Sequence, residues 1–197
     1  MIIDAHFHCS FGKLNPDELK RESESIMHEF RLAGIDRSCM MLSGTYGTFY
    51  HDEAGQNEIA ECLVKIMDIC PGKFYGLLTL NGMLPGSVLI DALGKYIVNG
   101  PLTGVKLTIQ MNARDPRLEE VCRFMEEHNI PLLWHCWYKT LCKYEFESDP
   151  SDIAFFAKKY PKLRILMAHL TGCGRRGVQE IKDCPNVSID TSGSQPF

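Results

Sequence analysis

The chain has 197 residues, a formal net charge of −4, 45% hydrophobic and 23% charged residues. This balance fits one soluble globular domain over 1–197 and excludes a bilayer-spanning segment or a strongly basic nucleic-acid binder. Nine cysteines, an odd number with no Cys-x-x-Cys pair, argue for reduced thiols rather than a disulfide framework. Met1 leads straight into an apolar run with Asp4 inside it, unlike a secretion signal, so a cytoplasmic protein is expected.

In chain order, residues 2–8 read as a first strand, ending in His6-Phe7-His8. On a strand, residues two apart share a face, so the two imidazoles project together. By itself such a pair is a weak signal. A helix follows: Asn15 can cap it, Pro16 suits its first turn, Asp17 and Glu18 suit its positive end, and Gly34 stops it. A second strand is predicted over 37–43, then a loop over 44–53, a helix over 54–69 closed by Pro71-Gly72, and a strand over 74–80. Apolar residues from Val88 to Ile97 give a third helix, and 104–109 a fourth strand. Asp115-Pro116 opens another helix. Residues 131–136 form a strand ending in His135, and an aromatic and charged loop over 137–148 precedes a helix opened near Asp149-Pro150. A strand over 163–170 carries His169. Gly172, Gly174 and Gly177 should break the connection that follows, leaving a short helix over 178–182 before the last strand, 187–192.

Strand and helix alternate, which implies parallel strands covered by helices. No glycine-rich dinucleotide fingerprint follows the first strand, and His6, His8, His135, His169 and Asp190 fall at C-terminal strand ends. That placement favours a TIM-barrel-like (β/α) fold over an open sheet. Only seven strands are predicted, and a closed barrel usually needs roughly 250 residues. The expectation is therefore a barrel lacking its eighth strand and last helix, a truncated form or a fragment. Four of the seven histidines would meet at one mouth, whereas His28 and His128 lie on helices and His51 in a loop.

Asp-Ala-His-Phe-His on the first strand, Gly-Val-Lys-Leu on the fourth, His135 on the fifth, Ala-His-Leu-Thr-Gly on the sixth and Ile-Asp-Thr-Ser-Gly on the seventh resemble the amidohydrolase superfamily. The branch most similar includes the aminocarboxymuconate-semialdehyde decarboxylase-like enzymes. The resemblance implies that His6, His8 and His135 bind a divalent metal ion, usually zinc, and that His169 binds a second metal or sits beside the catalytic water. It implies a further aspartate at the end of an eighth strand, a role that no residue here fills. Asp190 matches the strand-seven motif instead, with a structural hydrogen-bonding role.

Lys106 has two readings: a carboxylated lysine bridging two metals, as in some amidohydrolases, or a group contacting substrate. The decarboxylase-like branch generally does not use the bridge. Trp137, with Tyr138 and Lys139, is a pocket-wall candidate, and Arg175 a candidate to hold a substrate carboxylate. Cys9 and Cys136 alternate with the histidines and should point into the packing, as should Cys173.

The expected function is a metal-dependent hydrolase acting on a small-molecule amide, ester or lactone through a metal-activated water. The alternatives are a lyase, a non-oxidative decarboxylase of a small unsaturated carboxylic acid, and a catalytically impaired metal-binding fragment. The expected partner is a small-molecule substrate, with no nucleic acid and no membrane, and self-association into a homo-oligomer is left open.

Overall fold

The computed structural model describes residues 1–9, 15–43, 51–138 and 144–193. Lys139 and the start of the loop expected over 44–53 lie outside them. Seven strands alternate with helices: β1 (Ile3–Cys9), α1 (Pro16–Ala33), β2 (Arg37–Leu42), α2 (Glu53–Ile69), β3 (Phe74–Thr79), α3 (Gly86–Leu93), β4 (Gly104–Leu107), α4 (Glu119–Glu127), β5 (Leu132–Trp134), α5 (Pro150–Lys159), β6 (Ile165–Met167), α6 (Leu170–Ile181) and β7 (Val187–Ile189). All pair in parallel, in the order β1-β2-β3-β4-β5-β6-β7. This is a curled, TIM-barrel-like sheet, and no eighth strand occurs among the described residues.

Local chemistry sets the boundaries. Asn15 accepts a bond from the Glu18 N–H while the Glu18 carboxylate accepts from the Asn15 N–H, so α1 opens on a reciprocal cap. Gly34 ends α1 at φ 70°, a conformation that costs glycine little. Asp149 and Asp152 build the same cap at the start of α5. The outer faces of the strands pack under the helices in one large core. In that core Phe7, Phe30 and Phe74 meet edge to face at 5.1 and 5.9 Å.

The inner face is thinner. Met41, Leu77, Leu133 and Ala168 form a small second cluster. Toward the N-terminal strand ends lies an apolar cavity of about 480 Å³, lined by Ala5, Cys39, Leu77, Leu133, Leu166 and Ser188.

One element departs from expectation. The connection after β6 is broken by glycine as expected, but only at Gly174 (φ 60°, ψ −165°), where two helical segments of α6 meet across a kink. Helix begins already at Leu170 and runs on to Ile181, instead of being confined to a short helix at 178–182. Gly172 and Gly177 are helical, and close packing leaves no room for a side chain at either. A Cβ on Gly172 would lie 2.5 Å from the Trp137 ring, and one on Gly177 2.5 Å from the Cys173 Cβ.

Candidate active site

The sheet ladder carries several site residues beyond the ends of the strands. The His135 N–H donates to the Leu107 carbonyl at 2.9 Å, the Ala168 N–H to the Trp134 carbonyl at 3.0 Å, and the Asp190 N–H to the Met167 carbonyl at 3.1 Å. His6 and His8 lie within β1, and Lys106 within β4. His169 caps α6 in the left-handed region, at φ 70°. For a non-glycine residue that conformation costs on the order of 1–2 kcal/mol. Asp190 holds it there by accepting the His169 N–H at 2.8 Å.

The four imidazoles touch in a chain. His6 and His8 approach through their Nε2 atoms at 2.9 Å, and His169 Nε2 lies 3.2 Å from His135 Nδ1. The His6 and His169 rings lie 5.1 Å apart, centroid to centroid. Lys106 Nζ sits 3.1 Å from His6 Nε2. Trp137 closes one wall, with its ring 5.1 Å from His169 and nearly parallel to His135. Beside them is a cavity of about 310 Å³ lined by His8, Lys106, Thr108, His135, Trp137 and Tyr144.

Hydrogen bonds behind the cluster decide which nitrogens carry protons. Asp190 Oδ2 lies 2.8 Å from His6 Nδ1. A carboxylate only accepts, so His6 donates through Nδ1 and keeps its Nε2 lone pair toward the mouth. The Ser192 hydroxyl donates to Asp190 Oδ1 at 2.6 Å and receives His169 Nδ1 at 2.9 Å. His169 therefore also keeps Nε2 as an acceptor. On the far side, the buried Glu147 lies 2.7 Å from His135 Nε2.

Charge follows burial. Desolvation first, then the charge of Lys106 and the neighbouring imidazoles, pushes His8 down to about 3. Burial, then His135 and Lys106, pushes His169 down to about 3. His6 is also lowered by burial, against the partial support of Asp190. Burial brings Lys106, which is wholly enclosed, down to about 7, partly opposed by Asp190. Burial pushes Asp190 upward, but bonds from His6, Ser192 and the His169 N–H outweigh it and hold the carboxyl well below the usual carboxylate range. His6, His8 and His169 are thus uncharged at neutral pH, the state in which an imidazole can ligate.

The donor set fits a divalent ion. The Nε2 lone pairs of His6 and His169 face nitrogens of His8 and His135 at 2.9 and 3.2 Å, an imidazole-rich donor set of the kind that binds zinc. Among the described residues, His6, His169 and Asp190 also bring one ligand atom each within 4.8 Å of one another. Asp190 is the weaker candidate ligand, because its two oxygens already accept four hydrogen bonds.

Of the residues singled out from sequence, His6, His8, His135, His169, Lys106 and Trp137 come together. Arg175 lies exposed on α6. Cys136 and Cys173 are buried, as expected. His28 and His128 are exposed, and His51 is buried at the start of α2. Sequence reasoning missed Glu147 and Ser192. Ser192 stood inside the Asp-Thr-Ser-Gly motif. Glu147 lay in an aromatic and charged loop with no periodicity to single it out.

A family model described as Amidohydrolase matches residues 3–197. The chain belongs to the amidohydrolase family. Solved structures agree in fold. 4-Oxalomesaconate hydratase from Rhodopseudomonas palustris superposes with a TM-score of 0.71 at 16% identity, covering 97% of this chain and 74% of that one. Metarhizium anisopliae IDCase gives 0.64 at 14% identity, with 93% and 68% covered. Dihydroorotase from Campylobacter jejuni gives 0.59 at 18% identity, with 95% and 52% covered. At such identities the likeness concerns the fold, while the histidine cluster sits at the barrel end where amidohydrolase motifs were read from the sequence. No curated protein matches the chain. No helix among the described residues is long and apolar enough to cross a membrane.

Proposed function

We propose that this amidohydrolase is a metal-dependent hydrolase of a small-molecule amide, ester or lactone, with zinc as the resident ion. The observation that carries the reading is the convergence of imidazole nitrogens, His6 Nε2 with His8 Nε2 and His135 Nδ1 with His169 Nε2. His6, His8 and His135 would hold the ion. When bound, such an ion lowers the pKa of a coordinated water toward neutrality and polarises a carbonyl.

The chain's own residues do the rest. His169, uncharged and fixed by Ser192, accepts a hydrogen bond through Nε2 and so orients the attacking water. Asp190 keeps His6 in one tautomer. Trp137, packed against Gly172 and Gly193, gives the substrate a flat apolar wall that also excludes water. Lys106 points a donor at the same space, and Arg175 offers positive charge on the neighbouring helix.

Lys106 favours a second reading. A buried amine beside the cluster is suited to a substrate carboxylate, as a non-oxidative decarboxylase of the aminocarboxymuconate-semialdehyde type would need.

The test is elemental analysis and turnover of the purified protein on panels of lactones, amides, esters and unsaturated carboxylic acids. The expected result is about one bound ion per chain, hydrolysis lost on chelation, and neither metal nor activity in the His6→Ala/His8→Ala variant. Equal and negligible metal in wild type and variant overturns the reading. Carbon dioxide release selects the decarboxylase.

A further inference from the structure

We propose that Glu147 is a positioning residue that fixes the tautomer of His135, so that this imidazole turns Nδ1, not Nε2, toward the mouth. The proposal rests on the reading that the cluster holds a divalent ion.

Glu147 is fully enclosed, and a carboxylate is costly to bury unless its oxygens accept hydrogen bonds. Its Oε1 lies 2.7 Å from His135 Nε2. An imidazole that ligates an ion has one N–H left, and a carboxylate can only accept it, so the proton belongs on Nε2. Nδ1 is then left with a lone pair, and this is the atom facing His169 Nε2 at 3.2 Å. The opposite ring of the cluster is held in the same way but by the other nitrogen. Asp190 takes the Nδ1 proton of His6 and frees its Nε2.

Glu147 is placed by the chain on both sides. Its N–H donates to the Tyr144 carbonyl at 3.1 Å, and its Oε2 accepts the Tyr144 N–H at 3.4 Å. The next residue, Ser148, accepts the Trp137 N–H through its carbonyl at 3.1 Å and the Ala113 N–H through its hydroxyl at 3.0 Å. The loop is therefore tied to the segments that follow β4 and β5, and its carboxylate stands behind the imidazole. Carboxylates behind ligating histidines set ring orientation and basicity, and their loss typically weakens metal binding about 10- to 100-fold.

The experiment compares wild type, Glu147→Gln and Glu147→Leu, each first checked for a cooperative thermal transition. In metal-free protein, long-range nitrogen–proton NMR of the histidine rings reports which nitrogen of His135 is protonated. Wild type and Glu147→Gln, whose amide oxygen still accepts, are expected to show Nε2–H. Glu147→Leu is expected to gain the Nδ1–H form. Titration with cobalt(II), followed by visible absorption, should give binding about 10- to 100-fold weaker and an altered spectrum in Glu147→Leu, restored for the most part in Glu147→Gln. If Glu147→Leu does not fold, Glu147→Asp, one methylene short, takes its place with the same expectation.

A folded Glu147→Leu that keeps Nε2–H, or binds cobalt(II) with wild-type affinity and spectrum, overturns the proposal. So does a Glu147→Gln variant as impaired as Glu147→Leu. If wild type takes up no cobalt(II) while the tautomer shifts as expected, the ion reading fails and the positioning role stands.

Discussion

The two sides of the histidine cluster are braced differently. On the β1 side, Asp190 sits one residue past β7 and serves His6, the His169 N–H and both donors of Ser192. On the β5 side, Glu147 comes from a loop and meets His135 and the Tyr144 N–H. One carboxylate joins a strand end, a helix start and two ligand candidates, while the other stands behind the His135 ring. A brace that belongs to the barrel cannot be removed without loosening the barrel. A brace carried on a loop can change with the loop and leave the barrel intact.

The strongest break of this comparison is Asp190→Ala. It leaves the His169 N–H, the Ser192 donors and His6 Nδ1 without their acceptor, each worth about 1–3 kcal/mol when buried and unsatisfied. We expect a loss on the order of 3–5 kcal/mol in urea unfolding, together with loss of metal binding. The Glu147 substitutions should cost far less stability for a comparable effect on the ion. Equal losses of stability from the two would end the distinction.

Gly172→Ala tests the wall between the two sides. Its new Cβ would stand 2.5 Å from the Trp137 ring, so the indole must move away from His169. Overpacking of this kind costs about 1–3 kcal/mol. The expected readout is a shifted tryptophan emission and a raised KM with metal content unchanged. An unaltered emission spectrum would show that the stack does not depend on Gly172.

The smallest effect is the pH dependence of the metal-free protein, whose sign is fixed. His8 and His169 lie near 3 in the folded chain, so the unfolded chain binds protons below the ordinary histidine value of 6.5 that the folded chain refuses. Their stabilising contribution is present above 6.5 and is lost as pH falls toward 3. Lys106, lowered from 10.5 to about 7, acts in the same direction at higher pH. Urea midpoints should therefore rise from pH 5 to pH 8, below the ordinary thiol value at which the cysteines raised by burial act in the opposite direction. Lys106→Met should remove the slope above about pH 7 and raise stability, because an enclosed amine is replaced by an apolar side chain of similar length. A flat profile in wild type would mean that the cluster is more hydrated than its packing indicates.

Much of the fold was legible because it is written in local signals. Asn15, Pro16 and Gly34 bound α1 as their backbone chemistry requires, and the alternation of apolar runs gave seven parallel strands. The histidines were legible because strand ends in a parallel barrel share one mouth. Their strands proved shorter than predicted. β5 stops at Trp134 and β6 at Met167, so His135 and His169 stand just beyond the regular ladder. The break at Gly174 was legible in sequence, but the helical turns around Gly172 and Gly177 were not, because those two glycines look like breakers as well. Only the Trp137 ring and Cys173, brought against them by the fold, make small residues necessary there.

The sequence by itself determined the element order and the set of imidazoles that meet, since these depend on periodicity, spacing and strand polarity. Only the tertiary structure decided which nitrogen of each imidazole faces the mouth. That choice depends on where an acceptor stands behind the ring, and Asp190 lies 184 residues from His6 in the chain and Glu147 12 residues from His135. No local pattern encodes the direction of a hydrogen bond made across such a gap.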